Sequence, residues 1–139
     1  MREFNPTMAQ QVARAARAFQ QQSTGHMPKS ANAVLNEDTL VVTLHGALTP
    51  AEKALAQSPA GAAQVQEYHR QLFTDSCAPL RQEIEKITGV EVCEAAADIE
   101  MRTGSVVQVL TTGTMVQVFL LAQRVPAATW SGNGQGAPS

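Results

Sequence analysis

The 139-residue chain carries a net charge of −2 at pH 7 and a sequence pI of about 5.9; 44% of its residues are apolar and only 4% aromatic. This length and composition suit one globular domain that needs neither disulfides nor a structural metal to close its core. The slight acidic excess argues against a sequence-independent nucleic-acid binder, and the scarcity of aromatics leaves few platforms on which bases or sugars would stack.

The two cysteines, Cys77 and Cys93, are not in a C-x-x-C arrangement and read as reduced thiols of a cytoplasmic protein. The N-terminal stretch holds no apolar block of the signal-peptide kind, because Arg14 and Arg17 interrupt it. No run approaches the roughly 18–20 apolar residues of a membrane span. A soluble, or at most peripheral, protein without membrane insertion is expected.

In chain order, Thr7 to Gln22 reads as a first helix, with Met8, Val12, Ala15, Ala16 and Phe19 on one apolar stripe and a capping box from Thr7 and Gln10. Arg14 and Arg17 lie off the stripe. A helix of this kind docks on a sheet; an acidic membrane or partner is the other reading of its face. Gly25 and Pro28 end it. His26 and Lys29 flank that proline, which makes them candidates for holding an anion in a loop that otherwise is simply solvated. Ser30 to Leu35 and Thr39 to Gly46 read as two strands around the turn Asn36-Glu37-Asp38. Leu40, Val42 and Leu44 alternate with Val41, Thr43 and His45, so His45 sits at a strand end on the mixed face and needs a partner in space to become a ligand contact.

At Leu48-Thr49-Pro50-Ala51-Glu52-Lys53 the pattern switches from strand to helix. Thr49 caps, Glu52 reaches back to it, and Pro50 takes the first helical position, where its missing N–H costs nothing. Capping accounts for these three residues and leaves Lys53 as the unexplained member, hence a candidate site residue. The helix is expected to run to about Gln57, with Ser58-Pro59-Ala60-Gly61 as a break. A long helix follows from Ala62 to Thr88, with Val65, Tyr68, Leu72, Leu80, Ile84 and Ile87 on a stripe. Pro79 predicts a kink or break near Asp75 to Cys77, and Gly89 a left-handed stop. Arg70 lies on this helix, where Glu67 makes it an ordinary surface pair or, with the His26–Ser30 loop, a ligand contact.

Val90 to Met101 reads as a strand bulged around Ala95-Ala96-Ala97. Ser105 to Leu110 is echoed by Thr114 to Phe119 across Thr111-Thr112-Gly113, which predicts a β-hairpin and a three-stranded meander. From Pro126 to Ser139 glycines and prolines predict a flexible tail, with Trp130 either incidental or folded back onto an apolar patch.

No phosphate loop, nucleophile elbow or H-E-x-x-H motif is present, and the three histidines are widely spaced, so no metal or cofactor is expected. His69 and Cys77, separated by about 12 Å of helix rise, make no catalytic pair. Glu94, Asp98 and Glu100 share parity and read as the polar side of a half-exposed strand. No catalytic residues are assigned.

The stretches Gly25-His26-Met27-Pro28-Lys29-Ser30, Leu40 through Lys53, His69-Arg70-Gln71-Leu72, Ile84 through Val92 and Asp98 form a set. Together they resemble the bacterial MpsC-like family, long a domain of unknown function, over residues 8–121. Where that family tends to have a Gly-Arg-Gly-Pro loop, this chain has Gly25-His26-Met27-Pro28. The resemblance implies a small cytosolic domain without known catalytic residues. One member is named the third part of a sodium-translocating, membrane-potential-generating system whose other parts look like an inorganic-carbon uptake pair.

The expected architecture is one α+β domain over residues 1–125, with a mainly antiparallel sheet of about five strands and helices packed on one face, followed by the tail 126–139. Open sheet edges and the second sheet face make a homodimer the expected assembly. The leading functional expectation is a non-enzymatic accessory or regulatory module that binds a protein partner, such as a membrane transport component, in inorganic-carbon or ion transport. The alternative is a small-ligand or anion sensor using the His26–Ser30 loop. The candidate ligand-binding residues are His26, Lys29, His45, Lys53 and Arg70, with no nucleic acid, metal or cofactor.

Overall fold

In the computed structural model, which describes residues 6–98 and 113–131, both capping boxes form as the sequence dictates. Helix α1 (Met8–Thr24) starts with Thr7 Oγ1 accepting from the Gln10 N–H at 3.1 Å, while Gln10 Oε1 accepts from the Thr7 N–H at 2.9 Å. Gly25, at φ 81°, ends it and donates to Gln21 O. Strands β1 (Ser30–Asn36) and β2 (Thr39–His45) then pair antiparallel, from Ser30 opposite His45 to Asn36 opposite Thr39. The alternation along β2 is realised, with Leu40, Val42 and Leu44 fully buried.

Helix α2 (Pro50–Leu55) carries the second box and Pro50 at its start. The expected break after α2 falls at residues 56–58, slightly earlier than Ser58-Pro59-Ala60-Gly61, and α3 (Pro59–Ser76) already starts within that stretch: Ser58 Oγ accepts from the Gly61 N–H at 3.1 Å and Pro59 occupies the first turn. This is the same hydroxyl-then-proline logic that opens α2. Gly61 is needed there because a Cβ would lie 1.8 Å from the Leu55 carbonyl oxygen. The expected proline break separates α3 from α4 (Ala78–Thr88) at Cys77, and Gly89, at φ 76°, stops α4.

Strands β3 (Val92–Asp98) and β4 (Met115–Leu121) complete an antiparallel sheet of order β1-β2-β4-β3. Among the described residues the sheet thus has four strands rather than about five; the expected strand Ser105–Leu110 and its hairpin lie outside them. The irregularity of β3 falls between Val92 and Glu94, which oppose Leu121 and Leu120, and not at Ala95–Ala97. It is set by pairing with β4, a long-range matter that local composition does not encode.

The resulting fold is α+β, with α1, α3 and α4 on one sheet face. The core joins Val12, Ala16 and Phe19 to Leu40, Leu44, Phe119 and Ile84. The Phe73 ring meets Phe19 edge-on at 6.2 Å and Phe119 at 5.9 Å. A smaller cluster of Leu48, Ala56, Ala62 and Val65 sits where α2 meets α3. Pro126 leads into a short helix, α5 (Ala127–Ser131), whose Trp130 is 7% exposed and belongs to the main core. Of the two readings of Trp130, folding back is the one realised; residues 132–139 lie outside the described part.

Candidate anion-binding cleft

Three chain segments with no sequence proximity meet at one end of the β1–β2 hairpin. The first is the loop after α1. Arg17 pins it, donating from Nε and Nη2 to the Pro28 carbonyl at 3.0 and 2.7 Å, and Pro28 itself is fully buried. His26 Nε2 lies 3.0 Å from Gly46 O; a carbonyl only accepts, so this nitrogen carries a proton and donates. The Lys29 N–H donates to His45 O at 2.8 Å, extending the hairpin pairing by one bond.

The second segment is the end of β2. Gly46 has φ 65°, and the Lys29 stem lies across it so closely that a Cβ there would be 2.8 Å from Lys29 Cγ. The Ala47 N–H donates to Gly113 O at 2.7 Å, which brings the third segment, Gly113 and Thr114 before β4, into the site. Thr114 Oγ1 is 3.5 Å from His45 Nδ1. Lys53, on the outer side of α2, runs its stem past Gly113, within 3.9 Å of where a Cβ would stand.

Around these segments opens a cleft of about 640 Å³ lined by His26, Met27, Lys29, His45, Lys53 and Thr114, among others, with no aspartate or glutamate among the described residues of its wall. Among the described residues neither Lys29 nor Lys53 has a carboxylate partner. Four of the five candidate residues are therefore neighbours. Arg70 is not among them: it sits on the exposed side of α3 and pairs with Glu67, three residues earlier. Thr114, Met27 and the two glycines were absent from the sequence-based set.

Glu52, which capping alone was expected to explain, does more. Its Oε1 accepts from the Thr49 N–H at 2.9 Å, but Oε2 accepts from His69 Nε2, also at 2.9 Å. His69 is only 2% exposed. Burial pushes its pKa below the ordinary 6.5, outweighing the opposing charge and hydrogen bond of Glu52. The neutral ring donates to the carboxylate and ties α3 to the first turn of α2, one residue from Lys53. No sequence pattern links two residues seventeen apart on different helices.

Residues 5–122 match the family described as "Na+-translocating membrane potential-generating system (MpsC)". The chain belongs to the MpsC family. The matched span includes every wall residue of the cleft and the whole described sheet, and it ends before α5. Within reach of this MpsC chain is the uncharacterized protein YbcI of Bacillus subtilis (strain 168), to which it is 26% identical over 109 residues, covering 78% of this chain and 88% of that protein. No solved structure matches it. No described helix is long and apolar enough to cross a membrane.

Proposed function

We propose that this MpsC-family chain is a non-enzymatic, cytoplasmic accessory module of an ion-translocating system and that its basic cleft recognises a small oxyanion. The family description supplies the transport context. The observation that carries the recognition is the meeting of Lys29 and Lys53 with His26 and His45 in a cleft that has no acidic side chain among the described residues. Two ammonium groups unneutralised by neighbouring carboxylates create a positive potential that draws an anion, and the flexible lysine stems adapt to one. Bicarbonate fits an inorganic-carbon setting; phosphate and sulfate share its chemistry. A protein partner then responds to the loaded module. Self-association belongs to the same reading, through the sheet face that carries Val34, Val41 and Val118.

Calorimetry with bicarbonate, phosphate and sulfate tests the cleft. Saturable binding to wild type that weakens at least about tenfold, or about 1.4 kcal/mol, in Lys29→Ala/Lys53→Ala supports it. Absence of heat with all three anions removes it. Arg70→Ala, at a position outside the cleft, is expected to bind as wild type does.

A further inference from the structure

The cleft is one part of a longer basic face. On the other side of Lys29 a second depression is lined by Arg14, Arg17 and Lys29 together with uncharged residues of α1 and β1. The two depressions share Lys29 and, among the described residues, contain no acidic side chain between them. Sequence explains this segregation. From Phe4 to Asn36 there is no aspartate or glutamate, and Glu37 and Asp38 occupy the far turn of the β1–β2 hairpin. At about 3.3 Å per residue that turn lies about 20 Å away, roughly two Debye lengths at physiological salt. Glu52, the nearest acid in the chain after them, has both oxygens engaged, by Thr49 and His69. Of the other acids in the described residues, Glu67 and Asp75 lie on α3, Glu83 and Glu85 on α4, Glu91 and Glu94 at the start of β3, and Asp98 at its end, opposite Val116 on the far side of β4 from β2. Within a net charge of −2, the stretch from α1 through β1 is thus basic and free of acids.

At the crest of this face the loop after α1 exposes Met27, at 39%, between His26 and the buried Pro28. We propose that the face formed by Arg17, Met27, Lys29 and Lys53 docks on an anionic lipid surface, with the Met27 side chain entering the headgroup layer. Several features favour lipid over an acidic protein. Lys29 and Lys53 are point charges on flexible stems, suited to a diffuse field of phosphates, whereas the one arginine fork pinned at the loop, Arg17, is committed to the Pro28 carbonyl. An exposed thioether sharing one cleft with Lys29 and Lys53 also matches the mixed electrostatic and apolar contact by which proteins lie on a membrane. Arg14 marks the boundary of the face, since it also borders the α1–α4 groove that contains Glu83.

This inference goes beyond the oxyanion reading while sharing two lysines with it, so the two are tested side by side. Full-length protein is co-sedimented with phosphatidylcholine vesicles and with vesicles containing phosphatidylglycerol, at low and high salt, and titrated with inorganic phosphate in solution. The expected result is binding to the anionic vesicles alone, lost at high salt, weakened severalfold by Met27→Ser and at least about tenfold by Lys29→Glu/Lys53→Glu. All three substituted positions are exposed, and an unchanged thermal melt confirms folding. Equal binding to both vesicle types, binding to neither, or indifference to the double charge reversal overturns the docking. Phosphate binding without vesicle binding leaves the oxyanion reading standing alone; vesicle binding without phosphate heat does the reverse.

Discussion

Glu52 divides its two oxygens between a helix cap and a buried histidine, and the division can be measured. If capping were its whole role, Thr49→Ala and Glu52→Ala would each cost about 1 kcal/mol, the usual loss for one half of a helix cap. Because Glu52→Ala also leaves the His69 N–H buried without its acceptor, it is expected to cost on the order of 2–3 kcal/mol. Urea unfolding of the two variants decides; equal losses would return Glu52 to a capping role. His69 gives a second test. Its folded pKa lies below the ordinary 6.5, with burial the dominant cause, so as pH falls through 6.5 the unfolded chain takes up a proton that the folded chain resists. Stability present above that value is then lost progressively below it. His69→Gln removes the titrating ring, so its stability is expected to fall less over the same range. Parallel pH profiles for the two proteins would show that His69 contributes nothing to acid sensitivity.

At the scale of elements, what was legible in the sequence was what local chemistry decides. Thr7 with Gln10, Thr49 with Glu52, and Gly25 and Gly89 at left-handed stops act within one helical turn. The break at Cys77 follows from Pro79 alone. The break between α2 and α3 is legible at Ser58-Pro59, but its exact place is not, because proline and glycine close together mark a start as readily as a stop; Gly61 pressed against the Leu55 carbonyl, a contact between two helices, lets α3 begin at Pro59. The bulge in β3 and the burial of Trp130 are tertiary outcomes, set by the pairing with β4 and by docking on α1. The cleft was half legible. Its residues stood out as cations and histidines at element ends, where packing and capping gave them nothing to do. Their meeting was not legible, because it depends on the bonds from Lys29 to His45 and from Ala47 to Gly113. Nor was the exclusion of Arg70, which follows from the face of α3 on which it falls. Gln117 was missed in the other direction: it occupies a fully buried position in β4, with neither amide atom partnered among the described residues.

For the molecule as a whole, the described helices cover one side of the sheet and, among the described residues, leave the other side to explain. Register places Val34, Val41 and Val118 in one row across β1, β2 and β4 on that second side, with Val116 and Leu120 at the flanking positions of β4. Val34 is 54% exposed and Leu120 39%. Their exposure is not imposed by the strand pattern, which would accept threonine or lysine at the same positions without disturbing the core. A second copy of the chain is the occupant expected of this row, because a two-fold contact places each valine against an identical apolar surface and counts every substitution twice. Fully burying a valine side chain contributes about 1.5–3 kcal/mol, and Val34 is already about half buried, so Val34→Glu, which removes two such contacts per dimer, is expected to weaken association at least about tenfold. The variant should keep the wild-type melting behaviour of the monomer fold, since Val34 lies outside the core. Light scattering coupled to gel filtration checks both states: wild type should elute with the mass of two chains and Val34→Glu with the mass of one. A wild-type mass of one chain at micromolar concentration, or a dimer untouched by the substitution, would move self-association away from the sheet face and onto the β1 edge or rule it out.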